Sequence, residues 1–381
     1  MLAPSALALL ATTFTDAKER GRALGIYTAI AGGGGAIGLL LGGVLTEYLS
    51  WRWCLYVNVV FAVVALAGAL VFIAARPRST AARLDVPGSV LAVGGLVAIV
   101  FAFSEAARDG WSSPLIVGLL VAGAVLLAAF TQVERRVAHP LVPLSILANR
   151  TRGAAYLGAT IAGLGLIGLF LLITYYLQVT LGFSPLRAGL AFLPFIAGVI
   201  VAANFVSNVA LARLGPKVIV PTGLLLAAVA AGWLTRIGVT GHYGTDVAPA
   251  LVVVGLAVGC VVTTAFSLGP AGARPADAGV AAALVNSSNQ VGGSLGASLL
   301  NTIAASATAS YLAGHIAAHG GAAAAHTVAA ATVHGDVVAF TVLIAVFVAG
   351  AIATGLLFPR RVARPAPAPA GKPVAAGDHA G

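Results

Sequence analysis

Charge is what this sequence of 381 residues has least of. Asp, Glu, Lys and Arg make up 8% of it, against about 25% in a soluble domain. Sixty per cent of the residues are hydrophobic and the mean hydropathy is +1.01. A water-soluble fold would leave most of that apolar surface uncovered, so the solvent must be lipid. Cysteine occurs only twice. Cys54 and Cys260 stand far apart in apolar segments, with no CxxC or His/Cys cluster, and read as small buried residues. Lysine is confined to positions 18, 217 and 372; the dominance of Arg and Ala hints at a GC-rich bacterial genome. The net charge of +10 builds no basic face, because the basic residues are isolated between long apolar runs. Nucleic acid is therefore excluded as a partner.

Ten apolar runs of about 20 residues are candidate transmembrane helices: 24–47, 53–75, 86–105, 114–133, 153–177, 187–211, 217–238, 247–269, 279–305 and 337–358. No Asp, Glu, Lys or Arg falls in their cores. A preceding stub, Leu2–Phe14, is too short to span and lacks the basic region of a signal peptide. With the segment around Lys18, Arg20 and Arg22 taken as cytoplasmic, alternating spans place all but four of the 21 Lys and Arg on that side. The four on the outer side are Arg52, Arg108, Arg187 and Arg236. This asymmetry predicts a multi-pass protein of the cell membrane with a cytoplasmic C-terminus.

The first run is unusually rich in glycine. Gly34, Gly38 and Gly42 recur every fourth residue, with Gly43 beside them, and form a nearly side-chain-free stripe on a helix. Such a helix would be poor in water, at about 1 kcal/mol per glycine relative to Ala. In lipid it suits close approach of a second helix.

Three connections carry information. Residues 134–152 mix charge, proline and leucine, as expected of a cytoplasmic segment along the membrane surface. Residues 306–335 read as a flexible outer loop. Its His315 and His319 have an i,i+4 spacing, but no carboxylate or cysteine completes a metal site. The Pro/Ala/Gly-rich tail 361–381 reads as disordered.

No span carries a nucleophile–base pair, a phosphate loop or metal-ligand spacing, so no enzyme, metal or cofactor is expected. Uncharged polar residues remain: Asn286, Ser287, Asn289 and Gln290 in one cluster, Tyr175, Tyr176 and Gln178 in another, then Asn204 and Asn208. An unpartnered amide in hydrocarbon is costly, so these residues either join helices or line a substrate cavity.

Several stretches resemble one family. The run Arg22-Ala-Leu-Gly25, Gly38-Leu-Leu-Leu-Gly-Gly43, Trp51-Arg-Trp53 and Asn58 is similar to the fifth and sixth helices of fourteen-span drug–proton antiporters (EmrB/QacA-like) of the major facilitator superfamily. His139-Pro-Leu-Val-Pro143 matches as well, as do Tyr176-Leu-Gln178, Gly182-Phe-Ser-Pro185, Ala188-Gly189 and Leu193-Pro194. So does Asn286-Ser-Ser-Asn-Gln-Val-Gly-Gly-Ser-Leu-Gly296. The chain departs from the family at Gly35 and Leu39, where prolines are usual, at Val59-Val60 after Asn58, and at Asn289, where an Arg is common. In the family about three and a half helices precede the glycine helix and carry a membrane Asp. Here Leu2-Ala-Pro-Ser-Ala-Leu-Ala-Leu-Leu resembles only the end of the fourth, so Met1 is expected to be an internal methionine or a misplaced start.

The expected fold is an all-α polytopic membrane protein, a major facilitator superfamily helix bundle of about ten complete transmembrane helices plus a partial N-terminal one. Residues 1–75 would be the remnant of a first six-helix bundle, 76–150 two linker helices and a cytoplasmic connection, 151–360 the second bundle, and 361–381 the tail. The resemblance implies proton-coupled export of hydrophobic drugs by alternating access. Its partners would be the lipid bilayer, a small hydrophobic substrate and protons, with no obligate protein partner. It assigns helix packing to Gly34, Gly38, Gly42 and Gly43, and candidate cavity lining to Tyr175, Gln178, Asn204, Asn286, Ser287, Asn289 and Gln290. A non-transporting fragment, or an exporter of one endogenous metabolite or antibiotic, are the alternatives.

Overall fold

The computed structural model describes residues 17–72, 85–137, 142–274, 277–319 and 325–359, and every regular element among them is a helix. The helices are α1 (Ala17–Tyr48), α2 (Trp51–Phe72), α3 (Val86–Asp109), α4 (Pro114–Glu134), α5 (Leu144–Ala148), α6 (Arg150–Tyr175) and α7 (Pro185–Ala191). They continue as α8 (Leu193–Phe205), α9 (Leu211–Arg213), α10 (Pro216–Leu234), α11 (Ala248–Leu268), α12 (Ala278–His319) and α13 (Ala325–Leu357). Single π-helical turns at Tyr176–Thr180, Val206–Ala210 and Tyr243–Val247 extend or join their neighbours.

Local chemistry sets the starts. Proline occupies the first turn of α3, α4, α7, α8, α10 and α11, where a missing N–H costs nothing. Asp85 caps α3 by accepting from the Gly88 N–H at 2.9 Å. Asn149 caps α6 through the Thr151 and Arg152 N–H groups. Each such cap is worth about 1 kcal/mol.

Among the described residues, eight helical segments are long and apolar enough to cross a membrane. The sequence suggested ten, and the described residues of each run fall largely within helices. Two of these runs lie outside the eight: in α1 the stretch Ile37–Tyr48 is apolar but shorter than a span, and α12 is diluted by polar side chains. Along α2 no residue is buried by protein, and Leu70 and Val71 stand about three-quarters exposed.

One buried cluster runs through α6, α7, α10, α11, α12 and α13. Its tightest seam joins α6 and α12. A Cβ at Gly292 or Gly296 would collide with the carbonyls of Thr160 or Leu164, and one at Gly163 with the carbonyl of Asn289. Small residues four apart let two backbones touch, which is the usual basis of helix association in lipid. The Phe347 ring of α13 fills the space that Gly165 leaves on α6. Helices α3 and α4 pack on each other through Gly95, Gly123, Ala102, Ala106 and Ile116. Thr302 of α12 ties that pair on, donating to the Phe103 carbonyl at 2.8 Å.

At one end of the bundle Arg152 is buried, donating to the Gly272 carbonyl at 2.7 Å and the Ala271 carbonyl at 3.4 Å. Arg150 reaches the Leu356 carbonyl at 3.3 Å. The opposite end, the Glu47 end, carries the contact between Glu47 and Leu186.

One expectation is corrected. The described residues of 306–335 are helical and not a flexible loop: α12 continues to His319 and α13 begins at Ala325, while 320–324 lie outside the described residues. The segment is rich in alanine and free of proline, and alanine has the highest helix propensity of all. The stub 2–14 and the tail 361–381 lie outside the described residues.

Candidate functional site

The glycine helix borders a cavity of about 240 Å³. Gly38, Leu39, Gly42, Gly43 and Thr46 of α1 form one wall, with Cys54 of α2 beside them. The opposite wall is Phe170, Thr174 and Gln178 from α6 and its π-turn, and Pro185, Ala188, Gly189 and Phe192 around α7. Phe170 and Phe192 stack at 4.1 Å, giving the cavity a flat aromatic surface.

Polar groups in the wall are few and mostly occupied. Thr174 donates to the Phe170 carbonyl at 2.7 Å. The Cys54 thiol donates to the Gly42 carbonyl at 3.6 Å and lies 3.4 Å from the Thr46 hydroxyl. Gln178, exposed at the rim, makes no side-chain hydrogen bond among the described residues. A greasy wall with one free amide suits an apolar ligand that carries a hydrogen-bonding group.

At the Glu47 end the walls meet. A Cβ on Gly43 would stand 2.9 Å from the Leu186 Cα and 3.1 Å from the Pro185 carbonyl oxygen. A Cβ on Gly189 would stand 2.9 Å from the Leu39 carbonyl oxygen. The Glu47 carboxylate accepts from the Leu186 N–H at 2.9 Å. Two glycine contacts and a charge-assisted hydrogen bond thus close α1 onto α7. By contrast, a Cβ at Gly34, Gly38 or Gly42 would meet nothing within 4 Å among the described residues.

The other candidates are dispersed. Tyr175 is about half exposed and stands outside this wall, whereas Tyr176 is buried and donates to the Gly238 carbonyl at 2.8 Å. Asn204 and Asn208 are exposed and bond back to the Ile200 and Asn204 carbonyls of their own helix. Asn289 bridges to α6, donating to the Ala159 carbonyl at 3.1 Å. Asn286 is half-buried; Ser287 and Gln290 are exposed. None of these lines the cavity.

The histidines stand in helical context: His315 stacks on Tyr311 at 4.0 Å, and His334 lies 5.0 Å from the same ring. Among the described residues no three His, Cys, Asp or Glu gather as metal ligands. Both cysteines are free and half-buried.

Sequence reasoning missed four acidic positions. Glu47 is the latch just described. Asp85 and Glu134 are buried beside each other at the opposite end, where a Cβ on Gly88 would meet both. Asp336 is buried inside α13. Their only sequence signal was a charge at the edge of an apolar run, which reads equally as an interface residue.

Comparison with known proteins places this architecture. The family model described as Major Facilitator Superfamily matches residues 1–297. A puromycin resistance protein of Streptomyces alboniger is 46% identical over 93% of this chain and 69% of its own length. A cephamycin export protein of Amycolatopsis lactamdurans is 34% identical over 80% of the chain and 63% of its own length. A tetracenomycin C resistance and export protein of Streptomyces glaucescens is 33% identical, over 80% and 56%. The chain thus spans between about half and two-thirds of the length of these relatives. A helical architecture of membrane-crossing length, a family match over most of the chain and relatives that are resistance and export proteins agree: the chain belongs to the Major Facilitator Superfamily.

Proposed function

We propose that this protein exports hydrophobic small molecules from the cell by alternating access, in exchange for protons. The observation that carries the reading is the cavity between α1 and α6–α7, apolar, with one free amide and sealed at the Glu47 end by glycine contacts. Alternating access needs an inter-bundle site whose two ends close in turn. A seam of glycine on backbone can open without repacking large side chains. The relatives' names add puromycin, cephamycin and tetracenomycin C as things resisted or exported, and a puromycin-like drug is the substrate we assign.

The finer assignments are of the same kind. We place the Glu47 end outside and the C-terminus inside, on the distribution of basic residues. We assign residues 1–75 to the first bundle, 76–150 to linker helices and 151–360 to the second bundle, as in the fourteen-span antiporters. Gly43 packs the closed seam, Gly38 and Gly42 leave room for substrate, and Gln178 orients it. Asn286, Ser287, Asn289, Gln290, Asn204 and Tyr175 would line the path in another state.

Puromycin efflux tests the reading. Cells lacking other drug pumps and expressing the protein should lose loaded puromycin faster than controls, and a protonophore should abolish the difference. Equal retention with and without the protein would refute export; efflux insensitive to the protonophore would refute coupling. A second reading, that this stretch does not transport by itself, is favoured by the greater length of the relatives. It predicts efflux only when codons in frame upstream of Met1 are expressed with it.

A further inference from the structure

The end of the bundle opposite Glu47 sorts its charges by sign. Between Asp109 and Asp246 the sequence holds one acid, Glu134. Glu134 is buried, and so is Asp85, the acid that meets it across Gly88. The two residues that follow Glu134 are placed the other way. Arg135 and Arg136 are exposed, and among the described residues neither makes an ion pair or a side-chain hydrogen bond. Acids are withdrawn at this corner and bases are presented.

The chain beyond them stays close to the same level. The Glu134 carboxylate accepts from the Val142 N–H at 3.0 Å, which ties the connection to the end of α4. Pro143 then starts α5, whose five residues rise only about 7.5 Å. Ile146 is buried there, whereas Leu147 is 41% exposed; Val137, just after the two arginines, is 37% exposed. Arg150 opens α6. It is exposed and spends one N–H on the Leu356 carbonyl at 3.3 Å, leaving its other donors open.

We propose that Arg135, Arg136 and Arg150 form a binding surface for anionic phospholipid headgroups. Both α4 and α6 are long and apolar enough to cross a membrane. Arg135 and Arg136 directly follow the last residue of α4, and Arg150 is the first of α6, so all three guanidiniums stand at headgroup level. Exposed Val137 and Leu147 beside them supply the apolar half of an interfacial anchor. Three cations with no exposed acid in the same stretch of chain favour a lipid of net negative charge over a zwitterionic one. The burial of Glu134 serves this surface: exposed, its carboxylate would neutralise an arginine and repel the headgroup. The surface is separate from the cavity and does not depend on the export reading.

Lipid retention by the full chain tests it. The detergent-solubilised protein is mixed with equal amounts of phosphatidylglycerol and phosphatidylcholine, and the lipids it keeps are counted by native mass spectrometry. The wild type should keep phosphatidylglycerol over phosphatidylcholine by about fivefold or more, the factor that one arginine near an anionic surface confers. The triple variant Arg135→Gln/Arg136→Gln/Arg150→Gln should lose most of that preference. A charge-matched variant of three exposed arginines toward the Glu47 end, Arg52→Gln/Arg187→Gln/Arg236→Gln, should keep it. No preference in the wild type, or an equal one in the first triple variant, would overturn the proposal. Equal loss in the charge-matched variant would do the same, since net charge and not this surface would then select the lipid. Sodium phosphate should displace no more lipid than sodium chloride of the same ionic strength; greater displacement would mark a free-phosphate site and overturn the lipid assignment. Should the triple variant fail to fold, the single variants Arg135→Gln, Arg136→Gln and Arg150→Gln carry the test, and three unchanged ratios would be equally decisive.

Discussion

Closing α1 onto α7 depends on Gly43 having no side chain. In Gly43→Ala the new Cβ would sit 2.9 Å from the Leu186 Cα and 3.1 Å from the Pro185 carbonyl oxygen. Both atoms are backbone, so no rotamer change relieves the overlap and the helices must separate. Inserting one methyl into a packed contact costs about 1–3 kcal/mol. If that cost falls on the closed state alone, the closed-to-open equilibrium shifts by about 5- to 150-fold. Cys54 reports the shift, because it lines the cavity and the only other cysteine is Cys260. In a Cys260→Ser background, a membrane-impermeant maleimide applied at the Glu47 side should label Cys54 faster in Gly43→Ala, and faster again in Gly43→Leu. Gly38→Leu serves as the control, since its Cβ meets nothing within 4 Å among the described residues: it should leave labelling no faster yet abolish export by filling the cavity. Equal labelling of Gly43→Leu and wild type would refute the argument that glycine contacts close this end.

Other perturbations reach other parts of the structure. Gly296→Leu would drive a side chain into the Leu164 carbonyl and separate α12 from α6; thermal unfolding in detergent should show a large drop or no folded protein at all. Arg152→Ala removes two hydrogen bonds from a charged donor at 2.7 and 3.4 Å, each worth about 1.5–3 kcal/mol. A marked fall in Tm is expected, with little rescue by lysine, which lacks the planar fork. Gln178→Leu should leave Tm unchanged but raise the KM for the exported drug, because the free amide is the polar handle in that wall. Glu47→Gln should speed Cys54 labelling less than Gly43→Leu, since it weakens one hydrogen bond and leaves the glycine contacts in place.

The helices were legible in the sequence because lipid leaves a coarse signal: an apolar run of membrane length, proline at the start and charge outside. The segment 306–335 was misread because it is neither strongly apolar nor amphipathic. Its alanines carry the described parts, the end of α12 and the start of α13, as helix on propensity. That misreading also hid Asp336, which looked like a span-end residue until α13 was seen to begin at Ala325. The glycine helix marked where a close approach lies, but not which face makes it. Gly43 and not Gly34, Gly38 or Gly42 meets α7, and that follows from the rotation of α1 against residues more than 130 positions away. For the same reason sequence treated Gln178, Asn204 and Asn289 as equivalent amides. Only their neighbours in space distinguish a cavity wall, a bond back to the same helix and a bridge between helices.

The central claim is that drug passes through the cavity between α1 and α6–α7, and Cys54 offers the most direct test of it. Efflux should be measured in the Cys260→Ser protein before and after Cys54 is modified with a bulky maleimide, with and without transported drug present during labelling. The account predicts that modification stops efflux and that bound drug slows the modification. Undiminished efflux from fully modified protein would contradict it.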